Sequence, residues 1–189
     1  IAMTGRPGPV VLDFTKDAQI GSAPFIYSKC SFIRSYLPVP ETDPESVAKA
    51  VELIDESSRP LVVCGQGVIL SGAEKELMEF VRKGGIPVAS TLLGLSAVPS
   101  DFPYYVGMVG MHGNVAANMM TQKCDLLIAV GMRFDDRVTG KISEYAPKAK
   151  IIHIDIDPCE LGKVVRVDVP VAGDAKSVLS KITEAMRFS

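Results

Sequence analysis

Four charged side chains, Arg133, Asp135, Asp136 and Arg137, fall within five residues. A guanidinium presents several N–H donors in one plane and suits phosphate oxygens. The interleaved carboxylates leave two readings open: a self-paired ion cluster, or the lining of a site for a phosphorylated ligand. Gly65-Gln-Gly67 is a second candidate, because glycine lets backbone amides approach an anion at a helix start. Residue 70 is Leu70, so no GxGxxG fingerprint is completed, and no GKS or GKT follows. A plain turn is an equal reading of this stretch.

Asp155 and Asp157 close an apolar run. An acid in that place accepts from a ribose hydroxyl in dinucleotide folds, or else caps the turn that Pro158 begins. Thr91 adds a hydroxyl. His112, in Gly110-Met-His-Gly113, is either a base, whose carboxylate partner spacing does not supply, or joins Met111 in touching a flat ring. Neither His112 nor His153 has a CxxC or HExxH context, and a zinc site is not expected. Nor does a Ser-His-Asp order or a paired-glutamate site stand out. These residues offer a dinucleotide site more readily than a catalytic one.

The elements that must carry them are short and regularly spaced. Leu126–Val130 is a continuous apolar run, as in a strand covered on both faces of a parallel sheet. Gly131 ends it where open α/β sheets hold ligands. Upstream, Thr42-Asp-Pro-Glu45 signals a helix start, with the helix running to about Ser57. Pro60 hands over to a strand over 61–64. A helix over 72–83 ends at Gly84-Gly85, and a strand spans 87–89. Residues 95–113 read as loop, with Pro99, Pro103, Gly107, Gly110 and Gly113. A helix over 114–122 follows, its methionines read as core filler, then strands over 126–130, 150–155 and 166–171. Gly173-Asp174 opens a last helix with Val178, Leu179, Ile182 and Met186 at helical spacing. Some five strands alternating with helices predict an α/β fold, a mostly parallel, doubly wound, Rossmann-like sheet in three α/β/α layers.

The lead, Gly5-Arg-Pro-Gly-Pro9, is turn-rich, and Val10–Phe14 reads as a strand. Residues 18–43 show no period and carry Pro24, Pro38 and Pro40, which is long for a loop inside one domain. They read as a connector, and the strand before them as part of a neighbouring sheet mostly absent from this chain. The expected organisation is 1–17 as the end of a truncated domain, 18–41 as linker and 42–189 as a central nucleotide-binding domain.

At 189 residues, 47% hydrophobic and 22% charged, the chain supports one full core. A net charge of −2 without a block of like charges argues against nucleic acid. No apolar run approaches a membrane span, and no signal-peptide pattern is present. The start at Ile1 reads as a piece of something longer. Cys30, Cys64, Cys124 and Cys159 form no CxxC pair; Cys64 and Cys124 are expected in the core, in a reducing, cytoplasmic setting.

Several segments together resemble the large, catalytic subunit of acetohydroxyacid (acetolactate) synthase, a family of thiamine-diphosphate enzymes. They are Gly5-Arg-Pro-Gly-Pro-Val-Val-Leu-Asp13 with Lys16-Asp17, Thr91-Leu-Leu-Gly-Leu95, Gly107-Met-Val-Gly-Met-His-Gly113, Arg133-Phe-Asp-Asp-Arg-Val-Thr-Gly140, His153-Ile-Asp-Ile-Asp-Pro158 and Gly173-Asp174. The first is common to many thiamine-diphosphate enzymes; the Gly110–Gly113 and Arg133–Gly140 stretches are far more specific. The resemblance covers essentially the whole chain and implies the end of an N-terminal thiamine-pyrimidine domain, a linker and a complete middle domain that binds FAD.

It implies FAD along Gly65, Gln66, Gly67, Thr91, Leu92, Met111, His112, Gly113, Arg133, Asp135, Arg137, Val138, Asp155 and Asp174. Asp136 and Arg137 would face a substrate channel that an intact dimer completes. Thiamine diphosphate and Mg²⁺ belong to the full-length parent, which joins two pyruvates, or pyruvate and 2-oxobutyrate, with loss of CO₂, on the way to branched-chain amino acids. The segments bearing the activating glutamate and the Mg²⁺ ligands are not in this sequence, so no catalytic residue is expected here and the chain alone is predicted inactive. Implied partners are the missing domains, a second copy and a small regulatory subunit. Two departures stand out: Gln66 and Ser96 occupy positions where the family usually has glycine. The alternatives are the central domain of a pyruvate oxidase or glyoxylate carboligase type enzyme, a free-standing dinucleotide-binding redox domain, and an interaction domain that binds no nucleotide.

Overall fold

The computed structural model describes residues 1–30 and 32–187. It resolves into two compact units, Ile1–Pro38 and Val39–Ser189.

In the first unit the only regular element among the described residues is the short helix α1 (Lys16–Ile20). Thr4 and Tyr36 share a hydroxyl hydrogen bond of 2.6 Å, and the Tyr36 hydroxyl lies 3.0 Å from the Thr4 carbonyl. The expected strand over 10–14 does not form. A strand needs a partner ladder, and Val11 and Leu12 stand 86% and 76% exposed. The β-forming composition is there without the sheet.

The second unit begins with α2 (Pro44–Glu56). Asp43 caps it, accepting the Glu45 and Ser46 amides at 3.1 Å each, while Pro44 fills the first turn, where no amide partner is needed. The chain then gives β1 (Pro60–Cys64), α3 (Gln66–Leu70), α4 (Glu74–Gly84), β2 (Val88–Ser90), β3 (Tyr105–Met108), α5 (Val115–Lys123), β4 (Leu126–Val130), α6 (Asp136–Thr139), β5 (Lys150–Asp155), β6 (Val169–Ala172) and α7 (Ala175–Ala185). Gly85 ends α4 in the left-handed conformation at φ +61°, and the Ile86 amide returns to the Val81 carbonyl at 3.1 Å, a close that glycine makes without strain.

Six strands form one sheet in the order β3-β2-β1-β4-β5-β6, every pair parallel. The central strands are apolar throughout, yet their side chains still alternate between two cores. Val62, Cys64, Ile128, Val130, Ile152 and Ile154 face the layer of α2, α4 and α7. Leu61, Val63, Leu127, Ala129 and Ile151 face the other side, with Ala117 of α5, Phe134 and Tyr145. The three-layer α/β/α expectation is met.

Three local expectations are corrected. The stretch 95–113 is not all loop: it contains β3, so the sheet has six strands among the described residues. Gly107, at φ +101°, sits beside a register shift against β2 and breaks the apolar run that would have marked a strand. The helix expected over 72–83 is preceded by α3, and α6 was not foreseen. The last strand, placed at 166–171, lies at Val169–Ala172.

Candidate functional site

From β1 the strand order steps out through β2 to β3, then returns to β4 on the other side of β1. The switch point therefore lies between the carboxyl ends of β1 and β4, the crevice that takes ligands in such sheets. Gly65-Gln66-Gly67 leaves one strand there, and Gly131-Met132-Arg133 the other.

The glycines at this point answer first to each other. The Gly65 amide donates to the Val130 carbonyl at 2.9 Å and the Gly67 amide to the Gly131 carbonyl at 3.0 Å. A Cβ on Gly67 would stand 2.6 Å from the Gly131 Cα, and one on Gly131 would meet Gly67 equally closely. Gly131 also has φ +59°. Two backbone turns interlock here, and only glycine allows it. With the Val68 amide on the Gly65 carbonyl at 3.3 Å, this turn presents fewer amides to an anion than its glycine content suggests. Gln66 is exposed.

Neighbouring loops close around this point. Thr91, after β2, is buried, and its amide donates to the Cys64 carbonyl at 2.9 Å, while Leu92 and Leu93 beyond it are about two-thirds exposed. After β3, the Met111 amide donates to the Arg137 carbonyl at 2.8 Å, and a Cβ on Gly110 would lie 2.7 Å from that oxygen. Asn118 of α5 clamps Gly110 from both sides, accepting its amide and donating to its carbonyl at 2.9 Å each. The Gly110–Gly113 and Arg133–Gly140 stretches, far apart in sequence, are thus joined through their backbones, leaving Met111 and His112 exposed.

In the charged cluster Arg133 pairs with Asp135. Asp135 Oδ1 accepts the Arg137 amide at 3.0 Å and so caps α6. The Arg137 amide, then Asp136 and Arg133, hold the Asp135 carboxyl below its ordinary range. Asp136 and Arg137 come no closer than 4.0 Å, both largely exposed. The ion-pair reading is therefore realised between Arg133 and Asp135, while the Arg133 side chain stays 61% exposed and within reach of a ligand. Val138 is half-buried against the second core.

Asp155 closes β5, nearly buried, with its Oδ1 accepting the Asp157 amide at 2.9 Å; Asp157 in turn accepts the Cys159 amide at 3.0 Å, the turn-capping role weighed for it. Asp174 caps α7 through the Ser177 amide at 3.2 Å. Beside it, the Gly173 amide donates to the Asp155 carbonyl at 3.0 Å.

Two contributors were not among the site residues read from the sequence. Asn118 sits four residues after Asn114 on α5, which is the only hint of it. His153 lies inside the apolar run of β5, in one of the segments that carry the resemblance, and no role was read for it. It is fully buried, its Nε2 is 2.8 Å from the Met132 carbonyl, and burial pushes its pKa below the usual 6.5 against the opposing pull of the Met132 carbonyl, Asp155 and Glu160.

A flavin dinucleotide asks for cationic donors at its diphosphate, an acceptor at a ribose and apolar surface at its ring. Exposed Arg133 and Arg137, the Asp155 carboxylate, and exposed Leu92 and Met111 are groups of the kinds such a ligand needs.

A family model described as "Thiamine pyrophosphate enzyme, central domain" matches residues 47–182. The chain is similar to the probable acetolactate synthase large subunit of Methanocaldococcus jannaschii, 50% identical over 98% of this chain and 32% of that protein. It is 45% identical to the acetolactate synthase large subunit of Corynebacterium glutamicum, over 100% of this chain and 30% of the relative. To the acetolactate synthase isozyme 2 large subunit of Escherichia coli it is 41% identical, over 98% of this chain and 33% of the relative. The chain spans about a third of the length of these relatives. Among the described residues no helix is long and apolar enough to cross a membrane.

Proposed function

The chain belongs to the thiamine pyrophosphate enzymes as a central domain of the acetolactate synthase large-subunit type, and from that premise we propose that residues 42–189 bind FAD across the carboxyl edge of the sheet. Arg133 and Arg137 take the diphosphate oxygens, and Asp155 accepts from a ribose hydroxyl. Leu92, Met111 and His112 lie along the flat ring system. Gly65, Gln66, Gly67, Thr91, Gly113 and Val138 shape the walls, while Asp135 and Asp174 fix the turns around them. The observation that carries this reading is an exposed guanidinium, Arg133, at the β1–β4 switch point, on the same edge as exposed Leu92 and Met111.

When bound, FAD supplies a diphosphate and a flat aromatic system, and in a carboligation with no net redox change its part is structural. Asp136 and Arg137 then face the substrate channel. The parent protein condenses two pyruvates, or pyruvate and 2-oxobutyrate, with release of CO₂, using thiamine diphosphate and Mg²⁺ held elsewhere in its chain. The 189-residue chain alone is inactive in that reaction; turnover in a pyruvate assay with both cofactors would refute this. Its partners are the remaining domains of the subunit and a second copy, consistent with the exposed apolar Leu92, Leu93, Met111 and Val115. Its four free cysteines fit a reducing, cytoplasmic setting.

The test is an FAD titration of the chain followed by flavin fluorescence, with ADP as competitor. Saturable binding relieved by ADP supports the reading. Failure of folded chain to bind either nucleotide favours an interaction domain instead.

A further inference from the structure

The Arg133 guanidinium is the group on which the proposed nucleotide site depends, yet Arg133 lies two residues after Gly131 and precedes a strained residue. Phe134 has φ +53°, a left-handed backbone that strains a residue with a Cβ. Something must hold this turn. On one side of Arg133, the Met132 carbonyl accepts a 2.8 Å hydrogen bond from His153 Nε2. On the other, the Phe134 ring meets the His153 imidazole edge-on, centroids 4.9 Å apart at 81°, and also packs against Tyr145 at 6.0 Å. A single buried imidazole grips both neighbours of Arg133.

The hydrogen bond fixes the tautomer. A carbonyl only accepts, so Nε2 carries the proton and Nδ1 holds a lone pair. That Nδ1 is buried and has no hydrogen-bond partner among the described residues. Such an orphan is destabilising, and a purely apolar side chain of similar size would fill the place without it. What this half-satisfied polar group contributes to the strand core is the half that is satisfied. Here that half is the tether on Met132.

We propose that His153, as its Nε2–H tautomer, is a positioning residue that locks the Gly131–Asp135 turn and so aims Arg133 at the nucleotide diphosphate. This rests on the FAD reading for its ligand, but not for its geometry.

The experiment compares FAD dissociation constants for the 189-residue chain and its His153→Phe, His153→Gln and Arg133→Ala variants, and for the double variant carrying His153→Phe with Arg133→Ala. Phe keeps the ring contact and loses the tether, whereas the Gln amide reaches the Met132 carbonyl from nearly the Nε2 position. The expected result is affinity weakened about tenfold in His153→Phe, the worth of one good hydrogen bond, and mostly restored in His153→Gln. In the Arg133→Ala background the His153→Phe loss should nearly vanish, because the tether acts through that arginine. Equal losses in both backgrounds, or none in His153→Phe, overturn the proposal. If His153→Phe fails to fold, His153→Asn, polar but too short to reach Met132, takes its place. Backbone amide exchange at Met132–Asp135, measured without nucleotide, gives a second readout. Faster exchange in His153→Phe but not in His153→Gln supports the tether even if the chain binds no FAD. Unchanged exchange then refutes it.

Discussion

The central ladder of β1 with β4 and the turn that continues β4 are adjacent in the chain and opposite in construction. From Leu126 to Val130 every side chain is buried, apolar and placed by simple alternation between two cores. From Gly131 to Arg137 the backbone takes positive φ twice, at Gly131 and Phe134, a buried imidazole replaces an aliphatic contact, and an arginine stands exposed. The first region is stabilised by the area it removes from water. The second depends on a few directional contacts. Stability resides in the first, and the proposed binding residues lie in the second.

Changes in the two regions should therefore separate in what they perturb. Phe80→Ala, under the ladder on α4 and fully buried, should lower unfolding stability by about 3–5 kcal/mol. FAD affinity of the remaining folded chain should stay within about twofold of the parent's, since distant sites act independently; chemical denaturation and titration together check this. Gly131→Ala should lose both at once. It forces a Cβ against Gly67 at 2.6 Å and strains a positive φ, costing about 1–3 kcal/mol and opening the switch point. If it kept wild-type affinity, the interlocked turns would have no part in binding.

Arg133→Ala should do the reverse of Phe80→Ala: affinity weakened about tenfold to a hundredfold, as for a lost charge-assisted hydrogen bond, with the melting temperature unmoved. A smaller effect is expected on acidification. The folded His153 pKa lies below the unfolded value of 6.5, so between the two the unfolded chain binds the extra proton. Stability is then flat above about pH 6.5 and falls as pH drops through the window below it. The groups facing His153 are the Asp155 and Glu160 carboxylates, which oppose the shift, and Tyr145 through Phe134; His153→Phe should remove this slope. The smallest change is chemical. Burial pushes the Cys64 thiol up to about 12 and the Cys124 thiol up to about 11, so a maleimide at pH 8 should label only exposed Cys30 and Cys159 in the native chain.

How much of this was legible in the sequence follows the same division. Alternation of short apolar runs with amphipathic helices specified a parallel, doubly wound sheet. The caps at Asp43 and Asp174 and the stop at Gly85 are written locally, in residue types whose side chains or φ preferences act within one turn. The charged cluster was also visible, and its residues gather where the strand order reverses. Other features were not. Val10–Phe14 has a strand's composition but no partner among the described residues, and local propensity cannot supply one. Tyr105–Met108 was hidden by Gly107, because an edge strand with a bulge loses the period that marks its kind. Sequence alone therefore determined the layers and most of the elements, since these follow from periodicity and caps read over a few residues. Tertiary structure decided that Gly65 and Gly67 serve Gly131, that Asn118 clamps Gly110, and that His153 holds Arg133. The first and last of those contacts join residues that the order of strands in the sheet makes neighbours, and the second depends on how α5 packs back on the loop after β3.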